Sequence, residues 1–346
     1  MKPKIYIMAG GSGTRLRPLS ETGKGRLPKQ FLKVVGDITL LQETIERIPP
    51  HLDVGIIPEK RYTEEAYKQA AEINRQVNVL EEPFGCNTAA AILYAALFEQ
   101  KALHNTERIL CFLPADHKMD KDIFRELLEQ AIKVAEDTGQ IVTIGIKPDR
   151  AETNYGYIQA GSHMEGTLAT YQVKGFVEKP DKDTAEIYLR DGSYFWNAGM
   201  FIAKTSILIE AAEKYCPEIL KPISEAVLME EASTIADAYR EIKDSGWNIS
   251  IDYAMMERMA SQIALIPAPE ELAWNDLGNW ESLNNYLEID TQGNTYFSGN
   301  PGVFTESSNV MLCNYTTTPV RIENCSDILV IATENGILIR KKEDAI

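Results

Sequence analysis

The feature that most constrains this chain is an alternation of apolar, strand-length runs with helix-patterned segments through about the first 150 residues. Lys4–Ala9 (KIYIMA) is β-branched and apolar and stops at glycine, as a buried strand does. Residues 52–57, 77–80, 108–114 (RILCFLP) and 141–146 are further strand candidates, and 108–114 is too short for a buried helix. Residues 40–48, 63–73, 88–103 and 120–137 carry helical spacing, with Asn87 or Thr88 placed to cap the third helix. Strands that are apolar throughout need cover on both faces. The expected fold is therefore α/β: a Rossmann-like mixed, mostly parallel sheet flanked by helices. Ligands of such sheets bind outside the carboxyl ends of the strands, which directs attention to the tails of the first strand and of 108–114.

Beyond residue 150 the pattern is more varied. Residues 157–160, 171–177 and 200–203 read as strands; 184–190, 207–214, 224–228, 235–242 and 252–259 read as helices. Composition shifts near Glu288, after which short β-rich pieces (GVFTE, VMLCN, PVRIEN, DILVIAT, GILIRK) replace the helices. This predicts a main domain over 1–288 and a small C-terminal β appendage over 289–346. The pieces recur loosely, in the manner of a short β-helix.

Charge and cysteine usage narrow the function. The chain of 346 residues carries a formal net charge of −16, which repels nucleic-acid backbones and anionic lipid, so neither is an expected partner. No stretch approaches the roughly 20 apolar residues that span a bilayer, and the N-terminus lacks the apolar core of a secretory signal. Cys86, Cys111, Cys216, Cys313 and Cys325 are odd in number and form no CxxC pair, which fits reduced thiols in the cytoplasm. One segment inverts the overall sign: Arg15, Arg17, Lys24, Arg26, Lys29 and Lys33 stand against Glu21 alone between positions 15 and 33. Such an island suits a small polyanion, although a solvated basic loop has the same composition.

Within the island lies Ala9-Gly10-Gly11-Ser12-Gly13-Thr14-Arg15, then Pro28-Lys29-Gln30-Phe31-Leu32. A glycine-rich turn after a strand lets backbone N–H groups approach phosphate oxygens without hindrance from Cβ atoms. It is neither a P-loop, which needs Lys-Ser/Thr after the last glycine, nor the GxGxxG fingerprint, whose third glycine is missing. Arg15 and Lys29 are instead suited to grip a triphosphate as it becomes pyrophosphate.

The GGSGTRL…PKQ signature resembles that of the sugar nucleotidyltransferases, and its PKQFL form resembles the mannose-1-phosphate guanylyltransferase (GDP-mannose pyrophosphorylase) branch. EPFGCNTAAAI (82–92), LPADH (113–117), NYGYI (154–158), FVEKP (176–180), WNAGMF (196–201), ISIDYAMME (249–257) and WNDLGNW (274–280) agree in order and spacing over about 280 residues. The resemblance implies GMP transfer from GTP to mannose 1-phosphate, giving GDP-mannose and pyrophosphate by Mg-assisted in-line attack. The alternatives are another sugar 1-phosphate or another NTP, or a non-catalytic regulatory protein that binds nucleotide-sugar. By length, the isomerase domain of the family's bifunctional members is not expected.

The bare residues and the resemblance then assign roles. An aspartate just past a buried strand, Asp116, is placed to hold a hard cation, or to cap the next element. Asp276 alone reads as an Asx turn, in a loop that Trp274 and Trp280 can anchor. The resemblance makes Asp116 and Asp276 ligands of Mg²⁺, with Mn²⁺ or Co²⁺ as substitutes, and gives catalytic roles to Arg15, Lys29, Asp116, Lys179 and Asp276. The nucleotide falls to Ala9, Gly10, Gly11, Ser12, Gly13, Thr14, Arg15, Lys29, Gly85, Asn87, Thr88 and Asp116. Glu82 is the candidate for the guanine N–H groups, against the alternative of a solvated loop glutamate. Glu178 and Lys179, a surface ion pair on the blander reading, would take sugar hydroxyls and sugar phosphate; Gly156, Asn197 and Asp252 would line the sugar pocket. Arg17 stands where relatives carry tryptophan, TGKGR (22–26) is longer and more basic than usual, and the tail lacks the Asp-Ala pair before its last strand. A homodimer is expected from the family and from the unpaired β edges of the tail.

Overall fold

A computed structural model describes residues 1–11, 27–34, 36–104, 107–165, 169–229, 232–278, 280–284, 287, 289–299, 302–334 and 336–342. The chain divides into two compact units: Met1–Gly10, Ile45–Pro114 and Met119–Trp274 form the first, and Gly11–Thr44, Ala115–Lys118 and Asn275–Ile346 the second. This partition does not follow a cut at 288/289, because the segments carrying Lys29 and Asp116 group with the tail.

The first unit is built on a nine-stranded sheet of β1 (Lys4–Ala9), β2 (Asp53–Pro58), β3 (Asn78–Val79), β4 (Ile109–Pro114), β5 (Ile141–Ile146), β6 (Tyr157–His163), β7 (Tyr171–Val177), β8 (Tyr194–Lys204) and β9 (Ile263–Pro267). Its order is β3-β2-β1-β4-β8-β5-β9-β7-β6. β1 to β4 form a parallel block, as their apolar runs predict, and β5 pairs in parallel with β9. The rest is antiparallel: β8 against β4, β5 and β6, and β7 against β6 and β9. The sheet is therefore mixed rather than mostly parallel. The reason is β8, an 11-residue strand wedged between β4 and β5, of which the sequence pattern reveals only the apolar end at 200–203. β9 also goes unanticipated, its five residues (IALIP) lying among short helical turns.

The helices form for legible reasons. Asp120 caps Lys121–Thr138 by accepting from the N–H groups of Asp122 and Ile123 at 3.0 and 2.9 Å, and Gly139 closes it in the left-handed region at φ 65°. Asp181 and Gly192 bracket Lys182–Asp191 in the same way. Asn87–Ala102 begins differently: the cap position is Cys86, without a side-chain cap bond, while Asn87 Oδ1 accepts from the Thr88 N–H and Thr88 Oγ1 accepts from the Ile251 N–H. Neither Asn87 nor Thr88 is thus the expected cap. Pro217–Met229 starts seven residues earlier than its apolar pattern indicates and continues through Pro222. The expected helix over 252–259 is shorter, Ile251–Ala254, followed by a 3₁₀ turn at Met256–Arg258.

In the second unit, β10 (Thr295–Gly299), β12 (Met311–Asn314) and β14 (Ile328–Thr333) stack in parallel, as do β11 (Val303–Thr305) and β13 (Arg321–Glu323). Successive coils therefore pair in parallel, like the rungs of a short β-helix, with one register shift between Phe297 and Gly299. β15 (Gly336–Lys341) closes the end antiparallel to β14. Phe297, Met311, Cys313, Leu329 and Ile331 of these coils share one apolar core with Val34, Leu40, Leu277 and Trp280. Cys86, Cys111, Cys216 and Cys313 are buried free thiols, and Cys325 is a partly exposed one. Among the described residues no helix is long and apolar enough to cross a membrane.

Candidate active site

In the second unit, three residues far apart in sequence meet. Lys29, in a short 3₁₀ turn after Pro28, has its side chain only 5 % exposed. Its Nζ donates to Asp116 Oδ2 at 2.9 Å and to the Asp276 carbonyl at 2.6 Å. The backbone brings the two aspartates together: Lys118 and Asn275 exchange both N–H···O=C bonds, at 2.8 and 2.9 Å, in an isolated antiparallel bridge. The segment carrying Asp116 is further tied by Thr44 Oγ1 to the Ala115 carbonyl (3.3 Å) and by Lys118 Nζ to Glu43 (2.6 Å). Asp276 forms the expected Asx turn, its Oδ1 accepting from the Gly278 N–H at 3.0 Å, and Trp280 anchors the loop from the apolar core. Trp274 lies edge-on to Tyr155 in the first unit, 5.5 Å between ring centroids.

Burial pushes the Asp116 carboxyl up. Lys29 beside it, and then His117, outweigh that and hold it below the usual aspartate range. At neutral pH it is a carboxylate, an oxygen donor of the hard type that Mg²⁺ takes. Among the described residues no group of three or more His, Cys, Asp or Glu forms a metal-ligand set. An ion here would rest on the two aspartates, with its other positions left to water or phosphate oxygens. Ser12, Gly13, Thr14 and Arg15, with Arg17 and the stretch 22–26, lie outside the described residues. Gln30, which the sequence reading passes over, donates to the Gly11 carbonyl at 2.9 Å and so ties the 3₁₀ turn to Gly11.

In the first unit, β1 delivers Ala9 and Gly10. Glu82 is only 3 % exposed and accepts from Tyr239 OH at 3.2 Å, so it is not a solvated loop glutamate. A Cβ on Gly10 would stand 2.5 Å from Glu82 Oε2, and one on Gly85 would meet Glu59 Oε1 at 3.2 Å and the Gly10 carbonyl at 3.5 Å. These glycines let the 82–85 loop close onto the end of β1. Burial raises the Glu82 carboxyl to about 8, offset in part by the Tyr239 hydroxyl and reinforced by Glu59.

The five residues expected to line a sugar pocket also converge in the first unit. Asn197 Nδ2 donates to Asp252 Oδ1 at 2.9 Å, and its backbone N–H donates to the Gly156 carbonyl at 2.8 Å. A Cβ on Gly156 would lie 2.6 Å from Glu178 Oε2 and 3.3 Å from Asn197 Cβ, so only glycine leaves room for both side chains. Lys179 Nζ reaches Glu178 Oε1 at 2.5 Å; the Glu178 side chain is 7 % exposed and that of Lys179 is 44 % exposed. The pair is thus half sunk into the molecule rather than lying wholly on its surface. Strand alternation would aim the two apart, but β7 has ended at Val177 and Lys179 adopts φ 49°, which turns the chain. Burial, and then the neighbouring Glu178, raises Asp252 to about 7. Thr143 and Glu257 escape the sequence reading. Thr143 Oγ1 lies 3.3 Å from Asn197 Oδ1, and Glu257 accepts from the Glu178 N–H.

Lys29 and Asp116 thus form a largely buried ion pair in the second unit, and Glu178, Lys179, Asn197 and Asp252 cluster in the first. The nucleotidyl transferase family pattern matches residues 4–293, and the chain belongs to that family. It is accordingly a nucleotidyltransferase. Within the class it stands with the mannose-1-phosphate guanylyltransferases. That of Escherichia coli K12 is 34% identical over 349 residues, covering 97% of this chain and 70% of that protein. The xanthan biosynthesis protein XanB of Xanthomonas campestris pv. campestris is 37% identical with the same coverage. Among solved structures, a mannose-1-phosphate geranyltransferase from Thermus thermophilus is 29% identical and superposes with a TM-score of 0.82, covering 100% of this chain and 96% of that one.

Proposed function

We propose that this chain transfers GMP from GTP to mannose 1-phosphate, giving GDP-mannose and pyrophosphate. A phosphate oxygen of the sugar attacks the α-phosphorus in line. The bond from that phosphorus to the bridging oxygen breaks, and pyrophosphate leaves with the oxygen. The attacking oxygen is already anionic at neutral pH, so no general base is needed, and catalysis rests on positioning and charge neutralisation. The observation that carries the reading is the meeting of Lys29, Asp116 and Asp276, separated by 87 and 247 residues along the chain.

In this reading Lys29, with Arg15, holds the departing phosphates, and the glycine turn, Gly85, Asn87, Thr88 and Glu82 receive the nucleotide. Glu178, Asn197 and Asp252 take sugar hydroxyls beside Gly156, and Lys179 takes the sugar phosphate. Asp116 and Asp276 hold Mg²⁺, which supplies Lewis-acid neutralisation of phosphate charge when bound. Residues 1–288 form the catalytic part, 289–346 serve assembly into a homodimer, and the enzyme works in the cytoplasm.

The test is pyrophosphate release with the four NTPs against several hexose 1-phosphates. GTP with mannose 1-phosphate should lead, and turnover should vanish in EDTA and return with Mg²⁺. Asp116→Asn should abolish the metal-dependent turnover; a variant that kept near-full activity would refute the metal role.

A further inference from the structure

We infer that Glu257 is a positioning residue for the sugar-phosphate end of the site: its carboxylate holds the backbone turn that presents Glu178 and Lys179. The inference rests on the functional reading above. Lys179 adopts φ 49°, a left-handed conformation that residues other than glycine, asparagine and aspartate seldom take and that persists only when its surroundings impose it. Glu257 Oε1 accepts from the Glu178 N–H at 2.8 Å, a charge-assisted bond at the residue before the strained one. Tyr253 OH lies 3.5 Å from the Glu178 carbonyl, so the backbone of Glu178 is approached at both its polar groups.

Both contacts come from one short stretch. Ser250 caps the helix Ile251–Ala254, which carries Asp252, and the 3₁₀ turn Met256–Arg258 that follows carries Glu257. Asp252 in turn accepts from Asn197, and Gly156 leaves the space in which Glu178 and Asn197 approach each other. A single segment therefore touches the hydroxyl-binding cluster directly through Asp252 and sets its lysine through Glu257. With the Glu257 acceptor gone, the Glu178 N–H loses its partner, the turn is free to relax toward ordinary φ, and the Lys179 ammonium is no longer held against Glu178.

The experiment is steady-state kinetics on Glu257→Ala and the isosteric Glu257→Gln, varying each substrate in turn, with thermal melts of each protein. Glu257→Ala should raise the KM for the sugar phosphate by about tenfold or more while leaving that for GTP within about twofold. Glu257→Gln, whose amide oxygen still accepts, should recover most of the loss. Equal rises in both KM values, unchanged values, or a glutamine variant as impaired as the alanine one would overturn the positioning role. A wild-type protein that releases no pyrophosphate from any pair of NTP and hexose 1-phosphate would instead overturn the functional reading beneath it.

Discussion

Lys29 and Asp252 show how burial turns ordinary side chains into specific ones. Lys29 is enclosed with its charge against Asp116, so its removal strips the proposed phosphate ligand and leaves a partly buried carboxylate without its counter-charge. Lys29→Ala should lower kcat/KM by about 30- to 1000-fold, corresponding to roughly 2–4 kcal/mol of transition-state stabilisation, as read by pyrophosphate release. The Asp252 carboxyl is raised to about 7 by burial and then by Glu178. Between about pH 4 and pH 7 the folded protein therefore binds a proton at Asp252 that the unfolded chain has released. This contribution to stability is complete below the unfolded pKa and is lost as pH rises through the folded one. Urea midpoints measured from pH 4 to 8 should show Asp252→Asn gaining on wild type as pH rises. A constant difference across that range would refute the assignment.

At the scale of the element, the Lys118–Asn275 bridge joins two loops that would otherwise carry Asp116 and Asp276 separately. Proline at 275 has no N–H and cannot donate to Lys118. Asn275→Pro should cost about 100-fold in kcat/KM through misplaced groups, with the far-UV circular dichroism close to wild type. Trp280 supports the same loop from the apolar core, where it is 3 % exposed. Trp280→Ala should destabilise the protein by about 3–5 kcal/mol, measured by denaturant unfolding.

For the whole molecule, the β tail is part of a core rather than an ornament. Val34 and Leu40, close to Lys29 in sequence, share their apolar cluster with Phe297, Met311, Leu329 and Ile331. A chain ended at 288 would expose that cluster to water, and the segment bearing Lys29 would lose its support. Such a truncation should lose pyrophosphate release altogether and unfold with a shallower, less cooperative transition. A fully active 1–288 fragment would mean that this part of the chain stands alone.

The amino-acid pattern by itself determined the elements whose causes are local. The parallel block β1 to β4 was legible because its longer strands are mainly apolar, and most helices because amphipathic spacing is written over several turns; Asp120 and Asp181 mark two of their starts. The candidate motifs could be picked out too, since the glycine-rich stretch and the Pro-Lys-Gln run are each contiguous in sequence. Only the tertiary structure decided the antiparallel insertion of β8, the burial of Glu82, the contact of Glu257 with Glu178, and the meeting of Lys29 with two distant aspartates. Each depends on pairing partners remote along the chain, chosen by the balance of packing, burial and hydrogen bonding over the whole fold. No window of neighbouring residues contains that balance.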